Sequence, residues 1–110
     1  MTKAFINSDL VEANGTSLKG FIMATYDQLV EIFGEPTYKG GDKTTAEWKL
    51  QFYDGTVATI YDWKMYDTPL GQYDWHIGGY DIQSVNLVHD AFNGLLTDEF
   101  LELMEEYNKG

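Results

Sequence analysis

The chain contains no cysteine and no arginine, and each absence excludes a class of chemistry. Without cysteine, its 110 residues cannot form disulfides, thiolate metal sites or thiol nucleophiles. All seven basic residues are lysines, so the chain lacks the guanidinium group that grips phosphates at two points. No apolar run approaches the roughly 18 residues that a membrane span needs. These absences favour an intracellular protein that binds neither duplex DNA nor a membrane.

Acidic residues are in large excess, with 18 Asp and Glu and a formal net charge of −11. From residue 65 onward nine acids are accompanied by a single lysine, whereas residues 1–64 carry nine acids and six lysines. A basic partner would therefore be attracted mainly by the C-terminal half. The length and the even spread of apolar residues predict one compact domain over residues 1–110.

The strongest local pattern is a hairpin over residues 46–63 that turns at Asp54-Gly55. An Asp-Gly pair readily takes the positive φ angles of a two-residue type I′ turn. Such a turn would place Phe52 opposite Val57 and build one aromatic, core-facing side. The expected core residues are Trp48, Leu50, Phe52, Val57 and Tyr61. The opposite side, which could meet water, would carry Glu47, Lys49, Gln51, Ala58, Ile60 and Asp62.

Other patterns predict the rest of an α+β fold. Asn14-Gly15 predicts a first hairpin from residues 5–12 and 16–22, and alternation over residues 73–77 predicts a further strand. A capping box begins a helix over residues 26–33. Two hairpins and one strand would thus form an antiparallel sheet of four to five strands packed against three helices.

The last third of the chain is expected to be helical. Asp81 can cap a helix that ends at Gly94, and Thr97 can cap the final helix. The shared face of the first of these helices would carry Ile82, Val85, Val88 and Phe92. The buried stripe of the final helix would be Phe100, Leu103, Met104 and Tyr107. Its carboxylates would form an exposed acidic ridge that consists of Asp98, Glu99, Glu102, Glu105 and Glu106.

His76 is the side chain with the strongest claim to chemistry. Alternation places Asp74 and His76 on the same face of a strand, and Asp62 could reach that face from a neighbouring strand. A histidine beside carboxylates can act as a general base, which makes a small hydrolase one alternative. No serine or threonine stands nearby as a nucleophile, and the two histidines match no metal-ligand spacing. We therefore expect a non-enzymatic protein without a metal or a cofactor.

Aromatic residues and a glycine pair predict a ligand pocket as a further alternative. Gly78-Gly79 precedes a predicted helix, a geometry that can present backbone amides to an anion. Aromatic side chains nearby can stack on bases, with a lysine at the phosphates. The ligand-binding residues of this alternative are Trp63, Lys64, Trp75, His76, Gly78 and Gly79. Core packing and a sharp strand-to-helix turn explain the same residues equally well.

Several short motifs occur together between residues 26 and 88. They are FGxP at Phe33–Pro36, Asp42-Lys43, EWxLxFxDGT at Glu47–Thr56, IYDWK at Ile60–Lys64 and WHIGG at Trp75–Gly79. Their combination resembles a family of small acidic proteins encoded by tailed bacteriophages. The resemblance implies an accessory protein made in the cytoplasm of a bacterial host, where such genes often encode inhibitors of host defence.

Two functions are expected under this resemblance. In the first, the acidic ridge of a non-enzymatic inhibitor occupies the basic, nucleic-acid-binding surface of a host defence protein. In the second, the protein is a sponge that sequesters a nucleotide-derived immune signal in the aromatic and glycine pocket. An oligomer could then supply the positive charge that phosphates need. A soluble domain with an unremarkable binding patch is the remaining alternative.

Overall fold

The computed structural model describes residues 4–41 and 43–109, with side chains as far as residue 107. Asp42, which belongs to one of the motifs above, lies outside the described residues. The strands are β1 (Phe5–Asn7), β2 (Ser17–Ala24), β3 (Tyr38–Lys39), β4 (Ala46–Phe52), β5 (Val57–Tyr61) and β6 (Tyr73–Gly79). The helices are α1 (Tyr26–Phe33), α2 (Gln83–Phe92) and α3 (Asp98–Lys109). The predicted α+β fold with an antiparallel sheet is confirmed.

The strands lie in the order β1-β4-β5-β6-β2, and β3 pairs with the beginning of β4. Strands β1 and β2 therefore occupy opposite edges, and the predicted first hairpin between them is wrong. Asn14-Gly15 does form a tight turn, with Gly15 at φ +83°. A turn signal is local, however, and does not choose the partner of a strand. Strand β2 pairs with β6 over most of its length instead.

Residues 8–16, here called the crossover segment, run across one face of the sheet from β1 to β2. The Nζ atom of Lys49 on β4 donates a hydrogen bond to Asp9 O at 3.1 Å. The hydroxyl of Tyr80, which follows β6, donates to Asn14 O at 2.6 Å. We call the face that this segment crosses the outer face, and the helix-covered face the inner face.

The inner face forms the core together with α1 and α2. At its centre, the rings of Trp48 and Trp75 meet edge to face at 5.5 Å. Trp48 Nε1 donates to Gly34 O at 2.8 Å, and Trp75 Nε1 donates to Ala24 O at 3.1 Å, so both buried indoles have partners. The buried cluster comprises Ile22, Ala24, Leu29, Phe33, Ala46, Trp48, Leu50, Phe52, Ala58, Ile60, Trp75, Ile77, Leu87, Val88 and Ala91.

The central hairpin forms as predicted, but its register differs by one residue. Phe52 N donates to Thr56 O at 2.8 Å across a three-residue loop in which Gly55 has φ +91°. Leu50 therefore faces Ala58, not Thr59. A slip of one residue moves every side chain of β5 to the other face. Thus Ala58, Ile60 and Asp62, expected to meet water, are fully buried, whereas Val57 and Tyr61 lie on the outer face.

Helix α1 has the predicted bounds because its ends are specified locally. Thr25 Oγ1 accepts from Gln28 N at 3.1 Å, and Gln28 Oε1 accepts from Thr25 N at 2.9 Å. This reciprocal capping box begins the helix, and Gly34, at φ +87°, ends it.

Helix α2 follows Asp81, whose Oδ1 accepts from Gln83 N at 2.9 Å, and Gly94 ends it at φ +74° as predicted. Its buried side chains are Ser84, Leu87, Val88 and Ala91. Ile82, expected on the buried face, is exposed because the helix begins only after it.

Helix α3 is capped as predicted but packs differently. Thr97 Oγ1 accepts from Phe100 N at 3.1 Å, and Leu101 in the first turn is buried. The expected buried stripe is wrong beyond that turn, since Leu103 is 64% exposed and Tyr107 is 79% exposed. Phe100 meets the ring of Tyr53 beside the hairpin loop, at 6.2 Å. Among the side chains of α3 described up to Tyr107, the buried contact with the rest of the fold is therefore confined to the beginning of the helix.

Candidate functional site

A continuous row of side chains crosses the outer face of the sheet. Tyr38 pairs with Glu47, Glu47 with Tyr61, Tyr61 with His76, and His76 with Phe21. Directly opposed residues have Cβ atoms about 4.5 to 5.5 Å apart, so neighbours in this row touch or nearly touch. We call these five residues the outer row. It brings four titratable groups, one each from β3, β4, β5 and β6, onto one exposed surface.

Aromatic contacts hold one end of the outer row together. The rings of Tyr61 and His76 stack at 5.3 Å with an interplanar angle of 29°, and Phe21 meets His76 edge to face at 5.0 Å. Trp63 extends this surface, with its ring 6.3 Å from that of Tyr61. Phe21 is 44% exposed and Trp63 is 42% exposed. The arrangement leaves apolar ring surface available for stacking.

His76 is held by its ring neighbours and not by hydrogen bonds to its Nδ1 atom. That atom is buried and has no hydrogen-bond partner in the part of the chain that the structure describes. Asp62, expected to reach His76, lies on the inner side and binds Thr45 and Ala46 instead. Asp74 does share the outer face with His76 and is exposed. The His76 and Asp62 pair of the hydrolase alternative is therefore not assembled.

Glu47 is a half-buried carboxylate on the outer row. Burial raises its pKa above the ordinary value of 4.5, and the positive charge of Lys49 offsets part of this effect. Burial, followed by the negative charge of Glu47, also raises the pKa of the Tyr61 phenol. No hydrogen bond to the Glu47 carboxylate is present within residues 4–41 and 43–109. Its oxygens are thus available to a donor from outside the chain.

A cavity of about 370 Å³ lies beside Glu47, between the crossover segment and the outer face. Tyr38, Lys49 and Thr59 line it from the sheet, and residues 9–14 and 16 line it from the crossover segment. Lys49 Nζ lies 5.3 Å from the centre of the Tyr38 ring. The cavity size is near the lower end of the range for small-molecule sites, about 300 to 1,000 Å³.

The structure divides the predicted ligand-binding residues between the two faces. Trp75 and Gly79 belong to the inner face, where Gly79 abuts the Ser84 side chain of α2. Gly78 lies on the outer face beneath Thr59. Strand β6 pairs with β5 on one side and β2 on the other at both glycines, so their amides belong to the sheet and not to an open anion-binding loop.

The remaining predicted ligand residues lie at or beside the outer row. Lys64, at φ +56°, places its Nζ atom 5.9 Å from the centre of the Trp63 ring. His76 lies within the row itself. Three of the six predicted ligand-binding residues therefore share a surface, namely Trp63, Lys64 and His76. Gly78 lies under this surface.

The acidic ridge lies on α3, with all of its carboxylates on exposed residues. At 3.6 residues per turn, its members span an arc of about 120° around the helix. The adjacent arc carries Leu103, Met104 and Tyr107, which we call the apolar stripe. Leu103 and Tyr107 are mostly exposed, and Met104 is partly buried. Helix α3 is therefore amphipathic, and two of the three side chains of its apolar stripe are mostly exposed.

Sequence reasoning missed Glu47, Tyr61, Phe21 and Tyr38 as candidate site residues. The predicted hairpin register placed Tyr61 in the core, which separated it from Glu47. Glu47 stands among alternating apolar residues, as any solvent-facing strand residue does. Phe21 and Tyr38 meet the others only through pairing between distant strands. No local signal identifies such a row.

Within residues 4–41 and 43–109, no group of three or more His, Asp or Glu side chains is arranged to hold a metal ion. No helix in the same ranges combines the length and apolar character of a membrane span.

No protein-family model, curated protein or solved structure matches this chain.

Proposed function

We propose that this protein is a non-enzymatic inhibitor that uses α3 to bind the basic surface of a host protein. One observation carries the proposal. Helix α3 presents an acidic ridge and a largely exposed apolar stripe side by side, and Leu101 in its first turn is the one fully buried side chain among those described up to Tyr107.

The charge of α3 supports attraction to a basic partner. The half of the chain that begins at residue 65 has nine acids and one lysine, and five of those acids form the acidic ridge. Such a field speeds encounter with an oppositely charged surface and disfavours acidic ones. The attraction should weaken as salt rises, because exposed charges are screened over about 8 Å at physiological ionic strength.

The apolar stripe supports a partner that offers a groove. Amphipathic helices commonly bind by laying their apolar face into a hydrophobic groove. At 1.5 Å per residue, the 12 residues of α3 extend about 18 Å, which is short for an imitation of a long DNA segment. A groove with an apolar floor and lysines or arginines at its rim would complement α3 better than a flat basic surface.

The resemblance to phage accessory proteins narrows the class of partner. It implies action in the cytoplasm of a bacterial host and a target among its defence proteins. Nucleic-acid-binding proteins carry basic patches that serve their own ligand. By covering such a patch, α3 would prevent nucleic acid from binding there.

A capture experiment from bacterial lysate tests this proposal. The immobilised protein is compared with the triple variant Glu99→Lys, Glu102→Lys and Glu106→Lys. The matched control reverses three exposed acids away from α3, namely Asp27, Glu31 and Asp67. Both variants change the net charge equally, so only the location of the charge differs.

We expect the native chain to capture basic nucleic-acid-binding proteins, and duplex DNA to compete for them. The α3 variant should capture at least about tenfold less, and the control variant should capture as much as the native chain. Far-ultraviolet circular dichroism checks that both variants are folded. Equal capture by the α3 variant, or equal loss in the control, would contradict the proposal.

A further inference from the structure

We propose that the outer row and its adjoining cavity bind an uncharged, planar nitrogen heterocycle with neighbouring N–H donors. Guanine is the commonest biological group of this kind. This site is separate from α3 and does not depend on the function proposed for that helix.

Glu47 determines the hydrogen-bonding character of the site. Its carboxylate is half-buried, borders the cavity and has no hydrogen bond within the described residues. A partly desolvated carboxylate of this kind is satisfied best by paired N–H donors on one edge of a ligand. The N1–H and exocyclic amino group of guanine are such a pair, whereas adenine presents a donor beside an acceptor. Glu47 should therefore discriminate between the two purines.

The aromatic residues around Glu47 provide the surface for a planar ring. Tyr61 neighbours Glu47 directly, and Trp63 and His76 continue the ring surface away from it. Tyr38 borders the cavity on the other side of Glu47. The rings of Tyr61 and His76 already stack on each other, so a heterocycle would stack on an exposed ring, that of Trp63 or Tyr38.

The charges favour an uncharged ligand over a phosphorylated one. Near the site, the four acids Asp9, Glu12, Glu47 and Asp74 outnumber Lys49 and Lys64, and the chain as a whole carries −11. A polyphosphate would gain little from the two lysines and would be repelled by the overall charge. Since neither amide of Gly78-Gly79 faces an open loop, this glycine pair offers no phosphate cradle either. Guanosine should therefore bind more tightly than GTP at low salt.

Calorimetric titration of the whole chain tests the site with guanosine, adenosine and GTP. Fluorescence provides a second readout, because Trp63 is exposed whereas Trp48 and Trp75 are fully buried. Glu47→Gln replaces one acceptor oxygen by an amide group of almost the same shape. Glu31→Gln, on the exposed side of α1, is the matched control.

We expect saturable guanosine binding with a Kd below about 1 mM and quenching of Trp63 fluorescence. Adenosine should bind at least about tenfold more weakly, and Glu47→Gln should weaken guanosine binding by a similar factor. Glu31→Gln and the α3 variant should both bind guanosine as the native chain does. GTP should bind more weakly than guanosine, by a ratio that shrinks as salt rises.

Three results would overturn the proposal. One is the absence of saturable guanosine binding by the folded native chain. Another is equal binding of guanosine to the native chain and to a folded Glu47→Gln variant. The third is tighter binding of GTP than of guanosine, which would locate the main recognition at phosphates.

Discussion

Asp62, which follows strand β5, is hydrogen-bonded twice to Thr45, which precedes strand β4. Asp62 Oδ1 accepts from Thr45 N at 2.7 Å, and Oδ2 accepts from the Thr45 hydroxyl at 2.6 Å. The Thr45 hydroxyl also lies 2.7 Å from that of Thr68. One buried carboxylate thereby closes the open end of the central hairpin and ties the following loop to it.

Replacing Asp62 by alanine should destabilise the fold by about 2 to 4 kcal/mol, because the buried amide of Ala46 and the partly buried amide of Thr45 would lose their acceptor. Urea denaturation measures the change in the free energy of unfolding. The control is Asp67→Ala in the adjacent loop, where the side chain is exposed and the change should stay within about 0.5 kcal/mol. Similar values for both variants would show that Asp62 has no special structural role.

Gly79→Ala should destabilise the fold by about 1 to 3 kcal/mol, since the new methyl group would overlap the Ser84 side chain. It would also lie 3.1 Å from Val57 O, so movement of Ser84 alone would not relieve the crowding. Gly71→Ala is the control, because no atom lies within 4 Å of its Cβ position. Thermal or urea denaturation compares the two. An unaffected Gly79→Ala variant would mean that α2 can shift away from β6 freely.

We compare the free energy of unfolding of Glu47→Gln with that of the native chain at two pH values. The difference should favour the variant more at pH 7 than at pH 4. Because burial raises the pKa of Glu47 in the folded state, that state holds its proton more tightly than the unfolded chain does. Stability therefore falls as pH rises from the ordinary value of 4.5 through the folded value. Glutamine does not ionise and removes this fall. Urea denaturation at both pH values, with Glu31→Gln as control, measures the difference, and an equal difference at both would refute the prediction.

Leu101→Ala and Leu103→Ala should affect α3 very differently although the residues are two positions apart. Leu101 is buried and anchors the first turn, whereas Leu103 belongs to the largely exposed apolar stripe. We expect amide hydrogen exchange in α3 to accelerate at least about tenfold in Leu101→Ala and to stay unchanged in Leu103→Ala. Equal acceleration in both variants would indicate that the apolar stripe is covered in solution. The molecular mass, measured by sedimentation, would then show whether the chain self-associates.

Short-range signals in the sequence are enough to predict several elements of the fold. The capping box of Thr25 and Gln28 and the terminator Gly34 bound α1 within one turn at each end. Gly94 and Thr97 did the same for the end of α2 and the beginning of α3. These interactions join residues at most four positions apart, so they act in the same way whatever the rest of the chain does. The acidic ridge follows from helical spacing for the same reason.

The hairpin register, and with it the outer row, depends on packing between distant parts of the chain. Strand β5 is buried on both faces, by the core on one side and under the crossover segment on the other. A strand covered on both faces has no apolar and polar alternation to choose between registers. Packing of Ala58 and Ile60 beside Trp48 selects the register that forms. This register turns Tyr61 outward, where it meets Glu47 and His76. No local pattern connects these residues, because contacts between distant strands depend on the whole sheet.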